Sequence, residues 1–465
     1  MRNKKMANAM RGVASVTASL LTLSILGTSI ADSYRKNLDD VLGTTSYVIS
    51  NDKDNARFVS DYGTIEEMAA AAKDIAVREG EEGTVIMKND NDVLPLNTES
   101  VALFGLAAYA PYPYNAGDLR GGNEDSVDLL LALKEAGVQV NETVEEFYVN
   151  KFLNAHEVVT QNQWTGAEEV SIGYDNIYNT SVGDMADFAI TEIPPEKYEE
   201  FGAPKDWKSQ IDKDSTTAIC VFARPGGESN TYAPGSAVNF AGEKTGEDPL
   251  ALSEDELAVI DAAKETCSKV VVLINSGNAM EIKEIAEGGA HEVDGIAYIG
   301  CINDYQCTGI ANVLTGKVNA TGALTDTYVA DSASIPAVQN FGGDYYADAD
   351  IVAANAKNGY DDRYPKTEIS NESGASSFGG GSATYSAGQY IVEAEGIYVG
   401  YKYYETRYFD SIMNPSSNAA AVTGATQGDS WNYGDEVVYP FGHSISYLDY
   451  EQTVKSCLLY TSRCV

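Results

Sequence analysis

The sequence predicts an α/β fold: a three-layer sandwich whose mostly parallel sheet of about six strands carries helices on both faces. Three observations lead there. Residues 269–275 are apolar at every position from Val270 to Ile274, the pattern of a strand buried on both sides. Residues 218–223 form a second apolar run, which stops at Arg224-Pro225-Gly226-Gly227-Glu228, where Pro and Gly end a strand and open a loop. Strand-like and helix-like stretches alternate along the chain, as they do when helices cross over between parallel strands.

Taken in order, residues 1–31 carry Arg2, Lys4, Lys5 and Arg11 and then an uncharged run from Val13 to Ala31. This reads as an export segment, either a secretory signal or an uncleaved membrane anchor, and places the protein outside the cytoplasm, secreted or membrane-anchored through residues 13–31. Residues 32–62 read as a linker. Thr64 with Glu67 makes a capping box for a helix over 64–78 that Gly80 and Gly83 end. Short strands follow at 84–89 and 100–105, then a helix over 126–137 and a strand at 138–140. Residues 145–213 read as an additional helical segment with loops. After the strand at 217–223 come a helix over 252–267, the strand at 269–275, a helix over 280–287, a strand at 295–299 and a helix over 309–314. The strand at 270–274 is expected at the centre of the sheet. Residues 345–388, rich in Gly, Ser, Ala and Asp, read as an exposed, flexible insertion. Residues 396–405 are strand-like again, and 437–443 close the ordered part.

Bulk composition narrows function. With 69 acidic against 31 basic residues the formal net charge is −38, which repels phosphate backbones and excludes nucleic acid as a partner. The six cysteines include no Cys-x-x-Cys pair and there are three histidines, His156, His291 and His443, so a structural zinc site and other metal sites are not expected. Cys220 and Cys267 fall in or beside apolar runs and read as core residues; whether Cys301 and Cys307 pair is left open by their spacing. Thr315-Gly316-Lys317 lacks the spacing of a phosphate loop, and Gly105 is not followed by Gly-x-Gly-x-x-Gly, so no nucleotide cofactor is implied.

The candidate site is the loop after residue 223. A carboxylate on a glycine-rich loop just beyond a strand's carboxyl end stands where open α/β sheets place ligands. Glu228 is therefore the first candidate, a solvated loop acid being the other reading. Glu243 and Glu247, further along the same loop, are the reserves.

Three separated stretches resemble one family. Residues 309–327 (Gly-Ile-Ala-Asn-Val-Leu-Thr-Gly-Lys-Val-Asn-Ala-Thr-Gly-Ala-Leu-Thr-Asp-Thr), residues 396–404 with Pro440-Phe441-Gly442-His443-Ser444-Ile445-Ser446-Tyr447, and residues 80–96 occur in the order found in glycoside hydrolase family 3. The resemblance covers roughly residues 64–450 and assigns 63–450 to the family's α/β sandwich domain. It implies a retaining β-glucosidase-like enzyme acting on an oligosaccharide or β-glucoside at its non-reducing end. In that family a (β/α)8 barrel supplies an aspartate nucleophile and the sandwich supplies the general acid/base. Phe222 to Glu228 looks like the loop that carries the acid/base, which implies that role for Glu228; Ser229-Asn230-Thr231 departs from the family's pattern there. The sandwich comes directly after the export segment, as in the family's permuted subgroup. Residues 451–465 are accordingly expected to be the start of a truncated next domain or an artefactual tail, with the nucleophile-bearing barrel missing and the fragment inactive alone. A competing expectation is a non-catalytic carbohydrate-binding or cell-surface protein on the same fold.

Overall fold

In the computed structural model the described residues are 2–33, 60–98, 100–109, 127–161, 168–172, 188–189, 192–224, 237–239, 243, 245–302, 304–335, 396–413 and 432–449, with 341–342, 370–371, 385–386, 390–391, 451 and 453. Residues 34–59 of the linker, nearly all of the 345–388 insertion, and most of residues 451–465 lie outside them. The chain divides into two units, residues 1–68 and 69–465.

In the first unit, Arg2–Ser33 is one helix. Its stretch Met10–Thr28 is long and apolar enough to cross a membrane, by length and composition. At the start of the helix Ile65–Gly83, Thr64 Oγ1 accepts from the Glu67 N–H and Glu67 reaches back to the N–H of Gly63. The cap is the expected one, displaced by one residue in its return arm.

The second unit is built on a six-stranded sheet. Its strands are β1 (Val85–Asn89), β2 (Ser100–Phe104), β3 (Gln139–Val140), β7 (Thr216–Arg224), β9 (Lys269–Ser276) and β10 (Gly295–Tyr298). Between them in sequence lie the hairpin β4 (Glu157–Gln161) with β5 (Glu168–Ile172) and the short pair β6 (Phe188–Ala189) with β8 (Ala237–Val238). The sheet order is β1-β10-β9-β7-β2-β3, parallel throughout except for β1, which runs antiparallel at the edge. As expected, Val270–Ile274 is interior, and β9 is buried at every position after Lys269. The connections from β2 run to β3 on one side and on to β7, β9 and β10 on the other. The sheet therefore reverses direction between β2 and β7, the point at which open α/β sheets form a crevice at the strands' carboxyl ends.

Helix Glu254–Thr266 packs against β7 and β9. Its N-terminus is closed by a complete capping box between Ser253 and Glu256. The helices Leu129–Glu135 and Gln306–Leu314 pack on each other, and the latter crosses the Ile65–Gly83 helix at two glycines. A Cβ on Gly80 would lie 2.1 Å from the Gln306 carbonyl, and one on Gly309 would lie 2.0 Å from that of Val77. Gly80 is therefore a contact point inside the helix, not the stop that the sequence suggests.

Several expectations are corrected. Residues 280–287 form turns rather than a helix. The Glu281 N–H donates to Leu250 O and its backbone bridges Ala251, which ties residue 281 to another segment, and the chain then makes turns in which the Ile285 and Ala286 N–H groups donate to Ile282 O. Residues 396–405 are not a strand: a helix, Tyr401–Met413, starts there and buries Tyr403, Tyr404 and Arg407, a spacing of one helical turn that the tyrosine-rich composition masked. The helix expected over 126–137 is shorter, Leu129–Glu135, because Asp128 caps it. The segment 145–213 holds a π-helical turn, Phe147–Leu153, and a hairpin besides helical turns.

The family-like stretches converge in space. Asn319 Oδ1 accepts from the Ser446 hydroxyl and the Tyr447 N–H, and the Tyr447 hydroxyl donates to Val313 O. His443 Nε2 lies 2.7 Å from Met87 O, and Ile445 N–H donates to Ile86 O. Val437–Tyr439 pairs antiparallel with Tyr328–Val329.

Candidate functional site

Strand β7 has to end where its apolar run ends, and its last residue, Arg224, anchors the loop beyond it. Arg224 is 0% exposed. Its five N–H donors all have acceptors: Nε donates to Pro249 O, Nη1 to Ala223 O and Glu256 Oε1, and Nη2 to Ala251 O and Glu256 Oε2. Glu256, 2% exposed, meets the guanidinium in a bidentate pair at 2.7 and 2.8 Å and also accepts from the Ser253 N–H. A buried cation and a buried anion are tolerable together because each satisfies the other's lone pairs or protons. One side chain thus joins the departure of the loop at residue 224, its return at 249–251 and the start of the following helix.

Glu228 lies outside the described residues, so the first candidate has no described geometry. The two reserves do. Glu243 is exposed, and its N–H donates to Asn239 Oδ1. Glu247 accepts from the Glu254 N–H in the first turn of the helix, and its carbonyl accepts from Ala237 N–H. Glu247 thus has a capping task.

Two carboxyls that sequence reasoning did not single out as a site sit at the return of the loop. Asp248 accepts from the Leu250 N–H and from the Ser332 hydroxyl, both at 2.9 Å, and Glu281 accepts from the Ser332 N–H at 2.5 Å. Burial pushes both acids up, and the Asp331 charge adds to it. Glu281 is raised to about 7, its neighbour Asp248 contributing. The signal in the sequence is slight: Glu281 comes five residues after the strongest strand and stands in an otherwise ordinary polar stretch.

A third acid was also missed. Glu192, 3% exposed, lies below the carboxyl end of β2. It accepts from the N–H groups of Leu106 and Ile193 and from the Tyr148 hydroxyl. Tyr148 also accepts from the Gly105 N–H and lies 2.5 Å from the Tyr198 hydroxyl. Burial raises Glu192 to about 8. Gly105 has φ +93, and a Cβ there would meet Val221 O at 2.4 Å, so only glycine lets the ends of β2 and β7 approach this closely.

Cys220 and Cys267 are buried, as expected, and Cys301 and Cys307 are both free thiols. Among the described residues no group of His, Cys, Asp and Glu side chains is placed to hold a metal ion.

A family model described as the Glycosyl hydrolase family 3 C-terminal domain matches residues 84–447. A β-glucosidase of Ruminococcus albus is 27% identical over 283 residues, 60% of this chain and 25% of that protein. Thermostable β-glucosidase B of Acetivibrio thermocellus is 20% identical over 424 residues, 89% of this chain and 37% of that protein. The chain therefore spans between a quarter and two fifths of the length of these relatives. Among solved structures, a β-glucosidase from Paenibacillus barengoltzii superposes with a TM-score of 0.50 at 20% identity, over 84% of this chain and 31% of that one; this likeness speaks to the fold.

Proposed function

Starting from the fact that the chain belongs to glycosyl hydrolase family 3, matched over residues 84–447 by the family's C-terminal domain, we propose that it is the acid/base-bearing domain of an exported, retaining β-glucosidase-like enzyme. The observation that carries the reading is topological. The loop with Glu228 leaves the carboxyl end of β7 at the point where the sheet reverses direction, beside the end of β2, where such sheets take their ligands.

The chemistry assigns Glu228 two tasks. As an acid it gives its proton to the glycosidic oxygen as the aglycone departs; as a base it then takes a proton from the water that releases the glycosyl intermediate. The attacking carboxylate stands about 5–5.5 Å across the bond in a retaining enzyme, and we assign it to a barrel domain outside this chain. An acid needs its proton near neutral pH, and Asp248 and Glu281 at the return of the loop are both raised. The helix Arg2–Ser33, with its apolar window Met10–Thr28, supports export or anchoring. The substrate class is a β-glucoside or an oligosaccharide bearing one at its non-reducing end.

The test is the dependence on leaving group. In the enzyme complete with its barrel domain, Glu228→Gln slows alkyl glucosides or cellobiose by about 10²–10⁴-fold. An aryl glucoside with an acidic phenol keeps most of its glycosylation rate, since that group departs unprotonated, and azide restores turnover by attacking the intermediate without base help. Equal losses on all leaving groups, with no effect of azide, move the role to Glu243 or Glu247. The 465-residue chain alone is expected not to hydrolyse aryl β-glucosides; turnover lost on changing one of its own acids overturns that.

A further inference from the structure

We propose that Asp248, Ser332 and Glu281 form a pH-operated latch, closed in acid and loosened as pH rises past neutral, that holds a small apolar cluster against the main core. The inference goes beyond the proposed function and stands whichever residue serves as the acid/base.

The described residues form two apolar clusters. The main one surrounds the six-stranded sheet; the small one gathers Val329, Tyr403, Tyr404 and Val437, with Ile335 and Tyr433 packed against it. Four buried side chains remove too little apolar area from water to stand alone, so the small cluster depends on its attachment. Ser332, 3% exposed, lies in its chain segment between Val329 and Ile335. Its hydroxyl donates to Asp248 at 2.9 Å and its N–H donates to Glu281 at 2.5 Å. Asp248 and Glu281 belong to the main core's side: both are tied to Leu250, the first by accepting its N–H and the second by donating to its carbonyl. One serine thus joins segments 84 and 51 positions away. Burial is the largest cause of the rise in both acids, and Asp331, beside Ser332, adds a like charge to each. Arg224, at the end of β7 and paired with Glu256, favours ionised Asp248, so Glu281 is the group that keeps its proton longer, up to about 7. While Glu281 is neutral, it takes the Ser332 N–H without repulsion. Once it ionises it faces Asp248 and Asp331 from a partly buried position. Its two bonds from Ser332 favour the charge, and burial with the two like charges outweighs them. The closed value of about 7 stands above the ordinary 4.5. The latch's hold is therefore fully present below about pH 4.5 and is lost as pH rises through 7.

The experiment follows amide hydrogen exchange of the 465-residue chain between about pH 5 and about pH 9, corrected for the intrinsic rate. The amides to watch are Ala330, Ser332 and Ile335, whose N–H groups donate to Glu436 O, Glu281 and Ser332 O. Residues 270–274 of β9 serve as the core reference. Protection of the three amides is expected to fall about 10–10²-fold across that range and to lie below that of 270–274 throughout. Glu281→Gln keeps an oxygen for the Ser332 N–H and cannot ionise, so it is expected to abolish the fall. Asp248→Asn removes one like charge; its fall is expected to be smaller and to end at lower pH, and it decides the matter if Glu281→Gln does not fold. Ser332→Ala is expected to lower protection of Ala330 and Ile335 at every pH. Glu192→Gln, which alters the pH dependence of the whole fold, is expected to leave the profile of 330–335 unchanged. The latch is overturned if protection at 330–335 is independent of pH, keeps its fall in Glu281→Gln, or equals that of 270–274. Unchanged protection in Ser332→Ala, or loss of the fall in Glu192→Gln, overturns it as well.

Discussion

Two glutamates at the same end of the sheet are almost equally buried and are held in opposite ways. Glu256, 2% exposed, faces the Arg224 guanidinium. Glu192, 3% exposed, faces two backbone N–H groups and a tyrosine hydroxyl, all of them neutral. Where a cation is supplied, the carboxylate becomes part of a clamp that fixes chain direction. Where only neutral donors are supplied, burial wins and the carboxyl rises to about 8, so it enters the neutral range protonated. Depth alone does not set how a buried acid is held; the partner does.

The largest effect comes from removing the cation. Arg224→Met leaves Glu256 buried without a counter-charge and Pro249 O and Ala251 O without their donor, and is expected to cost about 3–5 kcal/mol in urea unfolding of the 465-residue chain. Changing Glu256 to Leu in the same chain removes the stranded charge and recovers part of that loss; a double variant less stable than Arg224→Met breaks the contrast between the two glutamates.

The next effect is a pH dependence. Glu192 has a folded value of about 8 against an ordinary value of 4.5, so the native state binds more protons than the unfolded state between the two. Its contribution to stability is therefore fully present below about pH 4.5 and is lost as pH rises through 8. The thermal midpoint of wild type relative to Glu192→Gln should fall across that window. A flat difference would mean that Glu192 is ionised in the fold.

Smaller still, Tyr148→Phe removes the hydroxyl that serves Gly105 N–H and Glu192. It should cost about 1–3 kcal/mol by leaving a buried N–H unpaired, read from the same urea curves. Smallest is Glu281→Gln, since Glu281 is only partly buried. Glu281 rises to about 7, so its share of stability is present below about pH 4.5 and fades as pH passes 7. Substitution should flatten that part of the profile, with less amplitude than Glu192→Gln.

How much could be read from the sequence depends on the range of the forces involved. Strand β9 was plain because five adjacent apolar residues can only be covered on both faces, and the Thr64–Glu67 cap is local chemistry at a spacing of three. The loop after β7 was visible through its Pro and Gly. Arg224 was visible as a residue and not as a clamp, because its acceptors other than Ala223 O lie 25 to 32 positions away. Glu192 sits in a polar stretch and carries no local mark of burial; the tyrosines that enclose it come from positions 44 residues before and six after in the chain. Residues 396–405 were misread because tyrosine fits a strand or a helix, and only the burial of 403, 404 and 407 on the helix Tyr401–Met413 separates the two.

The antiparallel edge strand β1 carries a consequence for how the protein is made. Its outer side is met by Ile445 and His443, the latter 356 residues away in the sequence from Met87. During synthesis the sheet's edge therefore stays bare until residues 443–445 have emerged, and bare edges recruit strands from neighbouring chains. Chains cut before residue 440 keep the core strands and expose an open seam. They are expected to associate edge to edge, so solubility reports on the integrity of the 440–447 stretch before any assay of activity does.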